Sequence, residues 1–344
     1  MILKEKCMLA KAHIYLVVLF TVGIAFVSGC KAANASLSSN SSNTEISERG
    51  STWVERRCIS DDWQKISFDA VGHKRSLLYK GPGDAWRKGV IIVLHGGGGE
   101  ASHFCSGRRI VKSQIDFTDM ALARGFAVIL LDSTRDVVTD AQGRACGKRF
   151  DFSVLNRPNI DLPYIGQVLD DIIPSKRPPG SSQAVFITGL STGGYMTIRA
   201  ATHFDNQVTA FAPVSAGDPF GTDTICDTSL SKRKSAKGIL VDRETRRQII
   251  ENNACNAPSY PNESMWLSTN PPKKPVFKQF QDASDGIVDL SCMKKAGTML
   301  VKQGYIDRGA FIIPTSGKKD AFKHLWQDAY NKPILDFFES EVNR

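Results

Sequence analysis

The stretch that decides the fold is Val185-Phe186-Ile187-Thr188-Gly189-Leu190-Ser191-Thr192-Gly193-Gly194-Tyr195. An apolar run of strand type ends in Gly-x-Ser-x-Gly, and small, helix-tolerant residues follow at once. That order describes a nucleophile elbow, a strand turning sharply into a helix with the serine held at the turn so that its hydroxyl projects from the carboxyl edge of a sheet. Glycines two before and two after Ser191 suit the close approach of strand and helix backbones, where a side chain would collide. If Ser191 is a nucleophile, the remaining chain must supply an oxyanion site, an acid and a histidine.

Strand-like and helix-like segments alternate on both sides of the elbow. Residues 64–70 and 73–79 alternate polar and apolar around Val71-Gly72, as an antiparallel hairpin does. Continuous apolar runs at 89–94 and 126–132 read as strands buried on both faces. Helices are expected over 109–124, closed by Gly125, and from Asp161 as a cap to about Ile173. After the elbow helix, which runs to about His203, a strand is expected at 208–214. The pattern predicts a mainly parallel sheet flanked by helices, an α/β class. It breaks between about 217 and 270, where polar runs, cysteines and prolines suggest a cap-like insertion. It resumes with a strand at 275–281, a helix at 293–303, a short strand at 310–313 and a terminal helix to about Glu341.

The oxyanion site is expected at His95-Gly96-Gly97-Gly98-Gly99, at the end of a central strand. Backbone N–H groups free of side-chain obstruction can face a developing negative charge there. One donor is expected from Gly97 or Gly98 and another from Thr192, the residue after the nucleophile. A phosphate loop fits less well, because Ala101 stands where Gly-x-Gly-x-x-Gly needs a glycine and no Gly-Lys-Ser/Thr follows. His95 reads as a brace for this loop.

Six histidines narrow the choice of base. His13 lies in the N-terminal apolar region, His73, His95 and His103 precede the serine, and His203 sits about three turns along the elbow helix. His324, in a loop after the last strand, remains. Asp285 and Asp282 are the candidate acids, with Asp285 preferred because Asp282 can serve its own turn, and Asp289 third.

Composition is that of a globular protein: 344 residues, 42% hydrophobic and 23% charged, with a net charge of +9. The basic runs at 231–237 and 243–247 read as solvated surface, and neither zinc-finger spacing nor an RNA-binding signature is present, so nucleic acid is not an expected partner. Lys4, Lys6 and Lys11 followed by the apolar run 14–27 form a signal peptide. Its end, Val27-Ser28-Gly29-Cys30, resembles a lipobox, which makes Cys30 the expected lipidation site. Residues 31–52 read as a flexible tether and 53–344 as the folded domain. The expected location is therefore the cell envelope, by lipid anchor to a periplasmic, outer-membrane or cell-surface face, or otherwise the secreted medium. With Cys7 and Cys30 set aside, an even set of cysteines remains for disulfides. Neighbouring positions suggest Cys105–Cys146, Cys226–Cys255 and Cys58–Cys292.

Taken together, 95–99, 189–194, Ala212-Pro213-Val214-Ser215-Ala216-Gly217, Asp285-Gly286-Ile287-Val288 and His324-Leu325-Trp326 resemble the secreted polyhydroxybutyrate depolymerase-like esterases, α/β-hydrolases related to feruloyl and acetylxylan esterases. Lys323 departs from them, standing where a glycine often precedes the histidine. The resemblance implies Ser191 as nucleophile, Asp285 as acid, His324 as base and Trp326 as a wall of the site. It implies an ester substrate, polymeric in some members, with no metal or organic cofactor required. An acyltransferase on the same triad and a non-catalytic polymer-binding surface lipoprotein are the alternative readings.

Overall fold

The computed structural model describes residues 53–107, 109–134, 149–152, 158–219, 273–315, 317 and 319–344. The expected signal peptide, Cys30, the tether, Cys146 and nearly all of the insertion, with Cys226 and Cys255, lie outside the described residues.

An eight-stranded sheet organises the domain in the order β1-β2-β4-β3-β5-β6-β7-β8. Its strands are β1 (Gln64–Ala70), β2 (His73–Lys80), β3 (Val90–Leu94), β4 (Ala127–Leu131), β5 (Val185–Leu190), β6 (Ala210–Val214), β7 (Val276–Asp282) and β8 (Ile306–Ile313). The β1–β2 and β2–β4 pairs are antiparallel, and every later pair is parallel. Residues of the four central strands are buried on both faces, which is why they read as unbroken apolar runs rather than alternating ones.

Alternate residues divide between two cores. Val90, Ile92 and Leu94 of β3 join Ile187, Met196 and Leu300 on one face. Ile91 and Val93 join Phe117, Phe186 and Phe338 on the other. The helices supplying these faces are α2 (Lys112–Ala123), α3 (Leu162–Gln167), α4 (Ile173–Lys176), α5 (Thr192–His203), α6 (Leu290–Lys302) and α7 (Asp328–Ser340), preceded by the short α1 (Trp53–Ser60). Crossovers between the parallel strands place helices on both faces and bring the carboxyl ends of β3 to β8 to one edge, while antiparallel β2 runs the other way. None of the described helices is long and apolar enough to cross a membrane.

Several expectations need correction. The helix from residue 162 extends past Ile173 to Lys176, through a π turn at Val168–Ile172. Pro174 lacks the N–H for the next helical bond and crowds the preceding turn, and the widened turn accommodates it. Asp161 makes no cap bond. Its carboxylate instead pairs with buried Arg75 and accepts the Asp151 N–H. Helix α6 starts at Leu290, because Asp289 caps it by accepting the Ser291 N–H at 2.9 Å. Strand β8 begins at Ile306 and not at 310. A register shift opposite Phe277 and Gln279 and Gly309 at φ +78° form a bulge whose Asp-Arg-Gly sequence disguises an edge strand. Cys58 pairs with Cys105, at a Cα–Cα distance of 5.6 Å, so neither Cys58–Cys292 nor Cys105–Cys146 forms. Helix α1, unread in the sequence, carries Cys58 to the 3₁₀ turn Ala101–Phe104. Cys292 is itself disulfide-bonded.

Candidate active site

The elbow follows from the meeting of β5, α5 and β3. Ser191 has φ 54° and ψ −118°, a backbone state that L-residues avoid and that costs on the order of 1–3 kcal/mol. It is held there from both sides. Its N–H donates to Val214 O at 2.9 Å, and its carbonyl accepts the Tyr195 N–H at 2.9 Å as α5 begins. The neighbouring glycines are sterically demanded. A Cβ on Gly189 would lie 2.6 Å from Gly193 O, one on Gly193 2.3 Å from Leu94 O, and one on Gly194 2.6 Å from Val214 O.

The glycine loop after β3 turns tightly, with Gly99 N–H donating to Gly96 O at 2.9 Å. His95, 1% exposed, accepts the Ser133 N–H on Nε2 at 3.1 Å. Its ring proton therefore sits on Nδ1, which donates to Gly96 O at 2.7 Å. The side chain clasps its own loop to the segment that follows β4, as a brace does. A Cβ built on Gly97 would touch the Thr192 methyl at 3.4 Å, so the loop runs directly beside the first residue of α5. Gly97 and Thr192, expected from separate stretches to share an anion, are neighbours. The first N–H groups and the positive dipole end of the twelve-residue α5 lie at the same place. Gly98 takes φ +74° and faces open space.

Asp285 and His324 come together across the loops that follow β7 and β8. His324 Nδ1 lies 2.8 Å from Asp285 Oδ2. Asp285 is 1% exposed, and its carboxylate is surrounded by donors. Oδ1 accepts the N–H groups of Ile287 (2.7 Å) and Val288 (3.0 Å), and Oδ2 also accepts from Gln281 Nε2 (3.1 Å). Such a set of donors fixes the plane of the carboxylate. With the ring N–H given to Asp285, His324 keeps an unprotonated Nε2, the state of a general base. The two loops are stapled by backbone. Gly286 N–H donates to Asp320 O at 3.0 Å, and Asp320 N–H donates to Ser284 O at 2.9 Å. A Cβ on Gly286 would meet the Asp320 carbonyl carbon at 2.9 Å, so only glycine allows this approach. Asp320 also accepts the Phe322 N–H, starting the 3₁₀ turn that ends at His324.

The other acids are placed elsewhere. Asp282 closes its own turn by accepting the Ser284 N–H at 2.7 Å, and Asp289 caps α6 and meets Lys319 at 3.2 Å. His203 ends α5 with its ring against Phe204, and burial and the nearby Arg199 charge lower its pKa. Trp326 does not stand as a wall of the site. It is 4% exposed, packs between Phe104 and Phe117 with ring centroids at 5.4 and 5.0 Å, and gives its indole N–H to Asn331. An aromatic two residues beyond a histidine has the same letter whether it lines a cleft or anchors the loop from below, and here it anchors. Gln281 and Asp320 carry no signal in the sequence, and Gly286 enters there only within the stretch Asp285-Gly286-Ile287-Val288. Among the described residues, no group of three or more His, Cys, Asp or Glu side chains could hold a metal ion.

No protein-family model matches the chain, and no curated protein matches it. Solved structures do. An esterase of Pyrococcus furiosus is 13% identical with a TM-score of 0.51, over 85% of this chain and 98% of that one. A lipase/esterase from Lactobacillus plantarum is 13% identical, with a TM-score of 0.48 over 81% and 97%. An acylaminoacyl peptidase of Pyrococcus horikoshii is 15% identical, with a TM-score of 0.46 over 82% of this chain and 42% of that one, so this chain spans less than half of that peptidase. The strand order and the match to the Pyrococcus furiosus esterase assign the chain the α/β-hydrolase fold.

Proposed function

We propose that the chain is an exported serine esterase that cleaves carboxylic esters through a Ser191–His324–Asp285 triad and an acyl-enzyme. The observation that carries the reading is the Asp285–His324 hydrogen bond, at the same sheet edge to which β5 delivers Ser191 in its strained turn. His324 Nε2 takes the Ser191 proton as Oγ attacks the ester carbonyl. The backbone N–H groups of Gly97 and Thr192, with Gly98 as the alternative loop donor, hold the oxyanion. His324 returns the proton to the departing alcohol, and water then cleaves the acyl-enzyme by the same steps. Asp285 remains ionised and stabilises the imidazolium.

The substrate class we propose is a polyester of the polyhydroxybutyrate kind or a feruloyl or acetyl ester, on the sequence resemblance. Export with a lipid on Cys30 is proposed on the N-terminal sequence, and a disulfide between Cys58 and Cys105 suits an oxidising compartment. The test is hydrolysis of p-nitrophenyl acetate, butyrate and octanoate by the full chain beside Ser191→Ala. The variant should lose about three to six orders of magnitude in turnover while staying folded. Wild-type turnover in Ser191→Ala would end the assignment, and chain-length preference measures the acyl pocket.

A further inference from the structure

We infer that Gln281 is a positioning residue of the triad, its side-chain amide holding Asp285 in the orientation that His324 uses. The inference rests on the esterase reading above for its kinetic consequences, though not for its geometry. Gln281 lies on β7 four residues before Asp285 and is fully buried. Its Nε2 stands 3.1 Å from Asp285 Oδ2 and 2.8 Å from Val288 O. Two amide hydrogens thus meet two acceptors. The reversed amide would turn Oε1 toward a carboxylate and a carbonyl, so the assignment is settled by the surroundings.

The other end of the same amide argues that stability is not the reason for a glutamine here. Gln281 Oε1 is buried with no hydrogen-bond partner among the described residues. An orphaned buried acceptor costs about 1–3 kcal/mol, and a methionine of similar volume would carry no such cost. What the amide supplies is a second donor on Oδ2, the oxygen that receives the His324 N–H. That donor fixes the carboxylate against rotation and shares its negative charge. Without it, Asp285 turns more freely, and the charge facing the imidazole is less screened.

Among the described residues, Asp282, Asp320, Lys323, Tyr195, Tyr330 and Asp218 are the other titratable groups around this pair. Asp282 is engaged by Ser284 and lies 4.0 Å from Lys323, and burial holds both phenols well above their ordinary value. All of these are common to wild type and variant.

Gln279 provides the control. It lies two residues earlier on the same face, is also buried, and donates to Met293 O at 2.8 Å without touching the triad. In the full chain, Gln281→Met should lower kcat about tenfold at little changed KM. The acid limb of kcat/KM should move up by about half a pH unit, because a less screened carboxylate holds the imidazolium more tightly. Gln279→Met should leave both unchanged per folded molecule. Wild-type kcat and acid limb in Gln281→Met, or the same loss in both variants, would overturn the role. If the wild type hydrolyses no ester and takes no fluorophosphonate label, the esterase reading fails by itself. The His324 pKa, followed by NMR of labelled histidine, then decides: a rise of about half a unit in Gln281→Met supports the coupling, and an unchanged value removes it.

Discussion

The two halves of the candidate site are held by different physics. On the nucleophile side, position comes from exclusion: Gly189, Gly193 and Gly194 let backbones approach to distances that no side chain would survive, and Ser191 is pressed into φ 54° between Val214 and Tyr195. On the acid–histidine side, position comes from attraction. Four donors converge on Asp285, and backbone bonds tie its loop to that of Asp320. Gly286 is the one place where the second side borrows the device of the first. A nucleophile has to be placed to a fraction of an ångström before any charge develops, and sterics can do that without lowering the energy of the ground state. An acid and a base must respond to a moving proton, which needs polar contacts.

The contrast predicts a large asymmetry among glycines. Gly193→Ala would put a methyl 2.3 Å from Leu94 O and 2.5 Å from His95 O. Neither backbone atom can yield without parting β3 from α5. We expect a loss of about 3 kcal/mol or more, beyond ordinary core overpacking. Gly98→Ala meets no atom within 4 Å and bears only its φ of +74°. Its cost should be about 1 kcal/mol. Urea denaturation of the two variants measures the difference, and equal losses would show that contact distance does not govern the elbow.

That difference also explains what could be read from the sequence. The elbow was legible because a steric demand writes itself into adjacent letters: glycine at 189, 193 and 194 around one serine. The buried strands were legible for a similar reason, since burial on both faces leaves an unbroken apolar run. The attractive half is made of pairs far apart in the chain. His324 emerges because the other histidines are spoken for and because His324-Leu325-Trp326 resembles a family motif, and Gln281 and Asp320 give no local sign. The Cys58–Cys105 disulfide was missed because pairing by neighbourhood ignored α1. Trp326 was misplaced because the direction of a side chain, toward the cleft or toward Phe104 and Phe117, is a property of the folded loop.

Strain stored by exclusion should be recoverable. In Ser191→Gly the residue adopts φ 54° and ψ −118° without a Cβ penalty. After the backbone-entropy cost of glycine, stability should rise by about 1 kcal/mol while activity disappears. Ser191→Ala keeps the Cβ and should show no such gain. Thermal unfolding of the pair reads this directly, and equal midpoints would mean that the elbow bears no strain.

The smallest effect separates the halves by pH. Nothing in the elbow titrates at or below neutral pH, since burial holds the Tyr195 phenol well above its ordinary value, whereas the attractive side rests on carboxylates. Asp289 caps α6 beside the Asp285 loop. Burial pushes its pKa up, but the Ser291 N–H and hydroxyl and the Lys319 charge outweigh burial and hold it below the ordinary carboxylate value. Asp289→Ala should cost about 1 kcal/mol near neutral pH, as the loss of a cap does. Asp289→Asn keeps a capping oxygen and isolates the charge, which is part exposed and worth a few tenths of a kcal/mol. Because the folded pKa is depressed, that contribution is complete above the unfolded carboxylate value of about 4 and is lost as pH falls through the folded one. The gap between wild type and Asp289→Asn should therefore close between about pH 4 and the folded pKa. The gap between Gly98→Ala and wild type, which involves no titrating group, should stay constant over the same range. Denaturant curves at three pH values from 7 down to 3 test both, and a gap for Asp289→Asn that stays level with pH would remove the charge from the account of this loop.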